Sequence, residues 1–240
     1  MSKLARSRKA RLRQETVCEV VFRPLAHLVV LALAPLRVPP PAVVLAAAGL
    51  GVAGAVELAR GHLIVAALLV QAKTVFDNAD GQLARLTGRV TAFGRYLDSE
   101  CDLLVDAALF AGLGWYTGQP VLAALGFIAL TLVLSVNFNV ERLARGAPAA
   151  WDASVLGRVY GFLYGWQDRL VERVLQGRAD LAKVGALAQL GMSSQLAVFG
   201  VCIAVGHPLA YVWILLAQLV FVIGLFVLAP SNQEVSLEHR

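Results

Sequence analysis

Six apolar stretches, each near the length a helix needs to cross a bilayer, limit this chain more than any other feature. They run at about 42–58, 62–85, 91–116, 121–142, 187–205 and 208–228, and about 20 apolar residues suffice to span about 30 Å of hydrocarbon. A soluble core cannot absorb them: 58% of the residues are hydrophobic and 15% charged, where roughly half and a quarter are usual in soluble domains. The expectation is an all-α integral membrane protein, with six transmembrane helices in a single domain over residues 1–240. An N-terminal interfacial amphipathic helix precedes them, within a basic segment at 1–37. Only Pro24 to Leu36 is apolar there before Arg37 and Pro39-Pro40-Pro41, which is too short to span. The long basic leader and Pro35 argue against a removed signal peptide at Ala32-Leu33-Ala34.

Basic residues orient the helices. With the N-terminus inside, Lys3 through Arg37, then Arg85, Arg89 and Arg95, then Arg142 through Lys183, and finally Arg240 fall on one side, while the outer loops keep Arg60. The positive-inside rule puts that side, both termini and residues 152–178 in the cytoplasm, and the chain in the cell membrane. Within 152–178, Val155, Val159, Phe162, Leu163, Trp166, Leu170 and Val174 recur at helical spacing beside arginines, the pattern of an amphipathic helix lying on the membrane surface. The net charge of +5 is assigned to lipid headgroups and cytoplasmic loops, and no nucleic-acid partner is expected. Cys18, Cys101 and Cys202 form no disulfide or zinc pattern. Trp115, Tyr116 and Trp151 suit interfacial anchoring.

Carboxylates inside spans demand a reason. Asp77 and Asp80 share one helical face near the cytoplasmic end of the second stretch; after a turn at Gly88, Asp98 and Asp102 share a face of the third. Counted from the turn, Asp77 lies about nine residues deep, Asp80 about six, Asp98 about seven and Asp102 about eleven. The four can therefore converge in one layer. Ionised carboxylates in a bilayer are too costly to leave alone, so the layer should hold cations or open to water, and all-oxygen ligation favours magnesium, manganese or calcium. Gly81, Ala84 and Gly94 leave room for a ligand, and Arg85 offers a planar donor fork to a diphosphate.

The run Asp77-x-x-Asp80-Gly81-x-x-Ala84-Arg85, eight residues, Gly94, three residues, Asp98, three residues, Asp102 resembles the complete signature of the CDP-alcohol phosphotransferases. Eight fixed positions of these types recur by chance at roughly one in 10¹⁰ starting points, so the match is specific although it covers only residues 77–102. The resemblance implies transfer of a phosphoalcohol group from a CDP-linked lipid, commonly CDP-diacylglycerol, to a small polar alcohol, with CMP released, in phospholipid synthesis. It implies Mg²⁺ or Mn²⁺, as two divalent ions, held by Asp77, Asp80, Asp98 and Asp102, with Asp102 also the base that deprotonates the acceptor. Gly81, Ala84, Arg85, Thr91 and Gly94 would bind the CDP donor. A homodimer is also implied. Where the family often carries an Asn and a Thr before the first span, this chain reads Pro39-Pro40-Pro41-Ala42-Val43-Val44, leaving backbone groups as donor contacts there.

Outside the signature, Lys73 and Asp106 lie one turn deeper than Asp77 and Asp102, and their matched depth suggests an ion pair. Asn137, Asn139 and Arg142, at the cytoplasmic end of the fourth stretch, are candidates for the acceptor, against the plainer reading of helix-end snorkelling. Inositol phosphate, glycerol phosphate and serine all fit as acceptors. Three rivals remain: a membrane prenyltransferase would want a second aspartate motif, a cation transporter would not need Gly, Ala and Arg at fixed offsets, and a catalytically silent relative would have little reason to keep four aspartates.

Overall fold

The computed structural model describes residues 14–145, 155–163, 165–175 and 181–227. The basic run 1–13, Trp151, Arg178 and Arg240 fall outside that set. The described residues are helical apart from short connections, with no strand among them.

A π-helical turn, Cys18–Phe22, leads into α1 (Arg23–Leu33). The long helices follow: α2 (Pro40–Ala59), α3 (Leu63–Thr87), α4 (Ala92–Thr117) and α5 (Pro120–Ala144). Two short helices, α6 (Val155–Leu163) and α7 (Gly165–Leu175), occupy the expected amphipathic segment. Then come α8 (Leu181–Leu187), a 3₁₀ turn (Ala188–Leu190), α9 (Met192–Ala204) and α10 (Leu209–Val227). Five of the six expected stretches each hold one long helix, whereas 187–205 is broken at Gly191 between a 3₁₀ turn and α9. Of these, α2, α5 and α10 are long and apolar enough to cross a membrane by length and composition, and the pair formed by 183–190 and 192–204 joins them if its 43° bend belongs to one broken span. Helices α3 and α4 carry the acidic signature together with Lys73, Arg85 and Arg95, which keeps them out of that class. The chain is a multi-pass helical membrane protein.

Turn chemistry places α3 against α4. Gly88 ends α3 with φ of 68°, a left-handed cap that costs a glycine little. Arg89 N–H then donates to Ala84 O at 2.8 Å, and Thr91 starts α4 by accepting from Gly94 N–H at 3.0 Å through its hydroxyl. This short connection sets the register of the two carboxylate pairs. Helix α2 packs along both: a Cβ on Gly112 of α4 would stand 2.5 Å from Ala55 O, so only glycine lets those backbones approach so closely.

The core beneath the site joins α2, α3, α4, α5, α9 and α10 through Leu58, Val70, Leu109, Phe110, Leu130, Phe199 and Tyr211. Phe110, Phe199 and Tyr211 stack with centroids 5.7 and 4.6 Å apart. Buried polar groups in that layer satisfy one another, as a bilayer requires: Tyr211 O–H donates to Gln195 Oε1 at 3.2 Å, and Gln195 Nε2 donates to Gln218 Oε1 at 2.8 Å.

Helix α1 lies across α3, with Ala26 and Val30 buried against Ala79 and Leu83, while Leu25, Leu28 and Leu31 stay exposed, at 45%, 64% and 43%. Its outer face is therefore apolar, as suits a helix at a lipid interface. On α6 and α7 large apolar residues stand exposed beside Arg158, Arg169 and Arg173. Val155, Val159, Phe162 and Trp166 are exposed, whereas Gln167 and Asp168 are buried.

Candidate active site

Helices α3 and α4 bring their acidic faces to one cavity of about 400 Å³. Asp77, Asp98 and Asp102 each offer a carboxylate oxygen, and these three atoms lie within 4.8 Å of one another. Such a spacing leaves room for one cation at the centre of hard oxygen donors. Asp80 lines the same cavity, is 6% exposed, and keeps a buried Oδ2 with no hydrogen-bond partner. An orphaned carboxylate oxygen beside three clustered ones is the donor set a divalent ion fits.

Gly81 and Arg85 also line the cavity. The guanidinium folds back over the glycine, its Nη1 3.1 Å from where a Cβ on Gly81 would sit. The bare glycine thus makes the seat of a planar donor group. Ala84, Thr91 and Gly94 stand elsewhere: Ala84 O and the Thr91 hydroxyl are engaged in the turn between α3 and α4, and none of the three is part of the cavity wall.

Lys73 does not pair with Asp106, which corrects the depth-matched expectation. Its ammonium instead lies 3.1 Å from Asp77 Oδ1 and 2.5 Å from Asp102 Oδ1, and the residue is 1% exposed. The long lysine side chain reaches toward the cavity, where two carboxylates offer more than one. Asp106 lines the cavity floor with a buried Oδ1 that has no hydrogen-bond partner.

The remaining wall comes from elements the acidic signature does not include. Helix α5 supplies Thr131, Leu134, Ser135 and Phe138, α7 supplies Asp168, and the N-terminal segment and α9 supply Glu15, Met192 and Ser193. Glu15 is 2% exposed and its Oε1 accepts from Ser194 N–H in the first turn of α9, where a carboxylate meets the positive end of the helix dipole. Asn78 Nδ2 donates to Ser193 Oγ at 3.1 Å and ties α3 to the same turn. Asn137, Asn139 and Arg142 do not line the cavity. Asn139 is fully buried behind it, donating to Asp168 Oδ1 at 2.7 Å, and its own Oδ1 accepts from Arg142 Nη2 at 3.0 Å.

Residues 36–223 match the family model described as CDP-alcohol phosphatidyltransferase. The phosphatidylinositol phosphate synthase of Corynebacterium glutamicum is 38% identical over 207 residues, covering 72% of this chain and 91% of that protein. The bifunctional IPC transferase and DIPP synthase of Rubrobacter xylanophilus is 34% identical over 106 residues, 44% of this chain and 22% of that protein. Among solved structures, the Mycobacterium tuberculosis phosphatidylinositol phosphate synthase with CDP-DAG bound is similar at a TM-score of 0.43 and 23% identity, over 78% of this chain and 93% of that one. A second structure of it, in complex with manganese and citrate, gives a TM-score of 0.43 and 24% identity over 78% and 88%. With a family match running from the residues before α2 into α10, and a relative aligned over most of both lengths, this chain belongs to the CDP-alcohol phosphatidyltransferase family, the membrane transferases that move a phosphatidyl group from a CDP-linked donor to an alcohol.

Proposed function

We propose that this protein transfers the phosphatidyl group of CDP-diacylglycerol to inositol phosphate and releases CMP, as one membrane domain whose cavity opens to the cytoplasmic side of the cell membrane. The observation that carries the reading is the meeting of Asp77, Asp98 and Asp102 within 4.8 Å, in a cavity that Asp80 and Arg85 also line. The acceptor follows from the 38% identical relative, whose name is phosphatidylinositol phosphate synthase. The cytoplasmic orientation rests on the basic residues that collect at this end of the helices.

In this reading Asp77, Asp80, Asp98 and Asp102 hold Mg²⁺ or Mn²⁺, as two ions. When bound, the metal neutralises the donor diphosphate and the charge that develops on the leaving CMP. Arg85, seated on Gly81, binds a phosphate of the donor through its planar fork. Ala84 and Gly94 keep the backbone at the α3–α4 turn compact, and Thr91 orders the start of α4, so that these three act on the donor through the shape of the turn. Asp102 accepts the proton of the acceptor hydroxyl as its oxygen bonds to the phosphorus that carries diacylglycerol. The bond from that phosphorus to the CMP oxygen breaks, and CMP leaves with the electron pair. A homodimer belongs to the same proposal and is supported by the family resemblance.

The test is CMP release by the purified protein in lipid nanodiscs with CDP-diacylglycerol, with and without Mn²⁺, against inositol phosphate, glycerol phosphate, serine and inositol. Metal-dependent release stimulated chiefly by inositol phosphate is expected. Release driven equally by any other acceptor would overturn the assignment of inositol phosphate, and metal-independent release would overturn the role of the aspartates.

A further inference from the structure

Lys73 stands on α3 one turn below Asp77, and its surroundings fix where its charge can go. The residue is 1% exposed, and a Cβ on Gly51 of α2 would lie 3.3 Å from its Cγ, so α2 closes over the stem. The ammonium donates to Asp77 Oδ1 at 3.1 Å and to Asp102 Oδ1 at 2.5 Å. Neutralising a buried carboxylate does not by itself require this choice. Asp106, one turn below Asp102, keeps a buried Oδ1 with no hydrogen-bond partner, yet the lysine serves two of the three carboxylates whose oxygens lie within 4.8 Å of one another.

This placement limits how many oxygens the site can give an ion. Mg²⁺ and Mn²⁺ are satisfied by six donors in an octahedral array, to which each carboxylate needs to bring one oxygen. Ca²⁺ takes up to about eight oxygens at about 2.3–2.6 Å, and reaches that number by gripping carboxylates through both oxygens. In Asp77 and Asp102 one oxygen each is already taken by the ammonium. A Ca²⁺ that gripped either carboxylate through both oxygens would share Oδ1 with the lysine and meet its charge at close range. An ion content with one oxygen from each carboxylate leaves the lysine where it is. Resting on the reading above that these aspartates hold divalent ions, we infer that Lys73 sets the ion selectivity of the site. By occupying one oxygen of Asp77 and one of Asp102 it confines both to single-oxygen ligation, which disfavours Ca²⁺ against Mg²⁺ and Mn²⁺. Lys73 is thus a positioning residue, acting through two carboxylates rather than on the ion.

Equilibrium ion binding by the full-length protein in nanodiscs of zwitterionic lipid, without substrate, tests this, with free Mn²⁺ followed by its electron paramagnetic resonance signal, alone and in competition with Ca²⁺. Wild type is expected to bind Mn²⁺ at least about tenfold more tightly than Ca²⁺, and Lys73→Met to narrow that ratio by about fivefold or more, because Ca²⁺ gains the freed oxygens. The ratio separates this role from a plain charge effect, since two ions of equal charge gain alike when a nearby positive charge is removed. Lys73→Arg, which keeps donors for both carboxylates, should keep the wild-type ratio. A ratio unchanged in Lys73→Met, with both affinities raised in parallel or not at all, overturns the inference. If Lys73→Met does not fold, Lys73→Gln, uncharged and one atom shorter, takes its place in the same comparison. A wild type that binds the two ions within about threefold of each other overturns the inference without any variant. Failure of the broader reading looks different: wild type would bind no Mn²⁺, or Asp98→Asn would leave Mn²⁺ binding unchanged.

Discussion

Lys73 and Asp102 are joined across the gap between α3 and α4, with Nζ 2.5 Å from Oδ1, and the same ammonium touches Asp77 Oδ1 at 3.1 Å. One buried cation therefore engages one oxygen of each of two carboxylates and leaves the other oxygens to the cavity. Removing one member of a buried ion pair costs about 3–5 kcal/mol because the charge left behind has no partner. Lys73→Met should lower the melting temperature in detergent. It should also enlarge the stabilisation gained on adding Mn²⁺, because the ion then supplies charge that the lysine no longer does. Thermal melts with and without Mn²⁺ check this, and an Mn²⁺ shift equal in both proteins would show that the lysine charge is not coupled to the ion site. Lys73→Arg should recover most of the lost stability.

Asp102→Asn keeps the size of the side chain and can still accept from Lys73 through its amide oxygen. Loss of a positioned proton acceptor costs about 10²–10⁴ in rate, so CMP release should fall by at least that range while CDP-diacylglycerol binding persists. The measurement is single-turnover CMP release beside equilibrium donor binding. Turnover within about threefold of wild type would remove Asp102 from the role of base.

The acidic half of the cavity was legible in the sequence because its four aspartates, Gly81 and Arg85 lie on two consecutive helices joined by a short turn, so spacing alone fixes their depth and facing. The other half was not. Asp168 sits off the apolar stripe of α7, where a soluble protein would place a solvated residue, but on this helix Trp166 faces outward and Gln167 and Asp168 are buried. Glu15 and Ser194 meet across most of the chain's length, and no local periodicity reports so distant a contact. The Lys73–Asp106 expectation matched depths along two helices and overlooked the reach of a lysine side chain, which brings Nζ up to the carboxylates one turn away. A signal for Asp168 did exist: it follows Gln167 in a segment rich in arginine, where an acidic residue opposite an apolar stripe asks for a partner.

Close packing of α2 on α4 makes Gly112 a stability site. Its missing Cβ would lie 2.5 Å from Ala55 O, a backbone atom that cannot rotate away. Gly112→Ala must push the two helices apart, and overpacking of this kind costs about 1–3 kcal/mol. The expected outcome is a lower melting temperature and more aggregate on size-exclusion chromatography in detergent, with the KM values of the surviving folded protein little changed. A variant as stable as wild type would show that α2 and α4 have slack at this crossing.

Gly81 makes the contrasting case. An added Cβ there would meet Arg85 Nη1 at 3.1 Å and Nη2 at 3.4 Å, the mobile end of a long side chain rather than backbone. The helix can keep its place while the guanidinium swings off its seat, so Gly81→Ala should leave the melting temperature close to that of wild type. Alanine also favours the helix over glycine by about 1 kcal/mol, which works against any loss of stability. The cost should appear in donor binding, because a displaced fork no longer meets the diphosphate in its planar geometry. An increase of about tenfold in the CDP-diacylglycerol KM, with kcat less affected, is the expected signature of a lost ground-state contact. Arg85→Lys should move the same KM in the same direction, since a lysine ammonium keeps the charge and loses the fork. If Gly81→Ala instead lowers kcat and leaves the donor KM unchanged, Arg85 acts on the leaving group in the transition state and not on the bound donor.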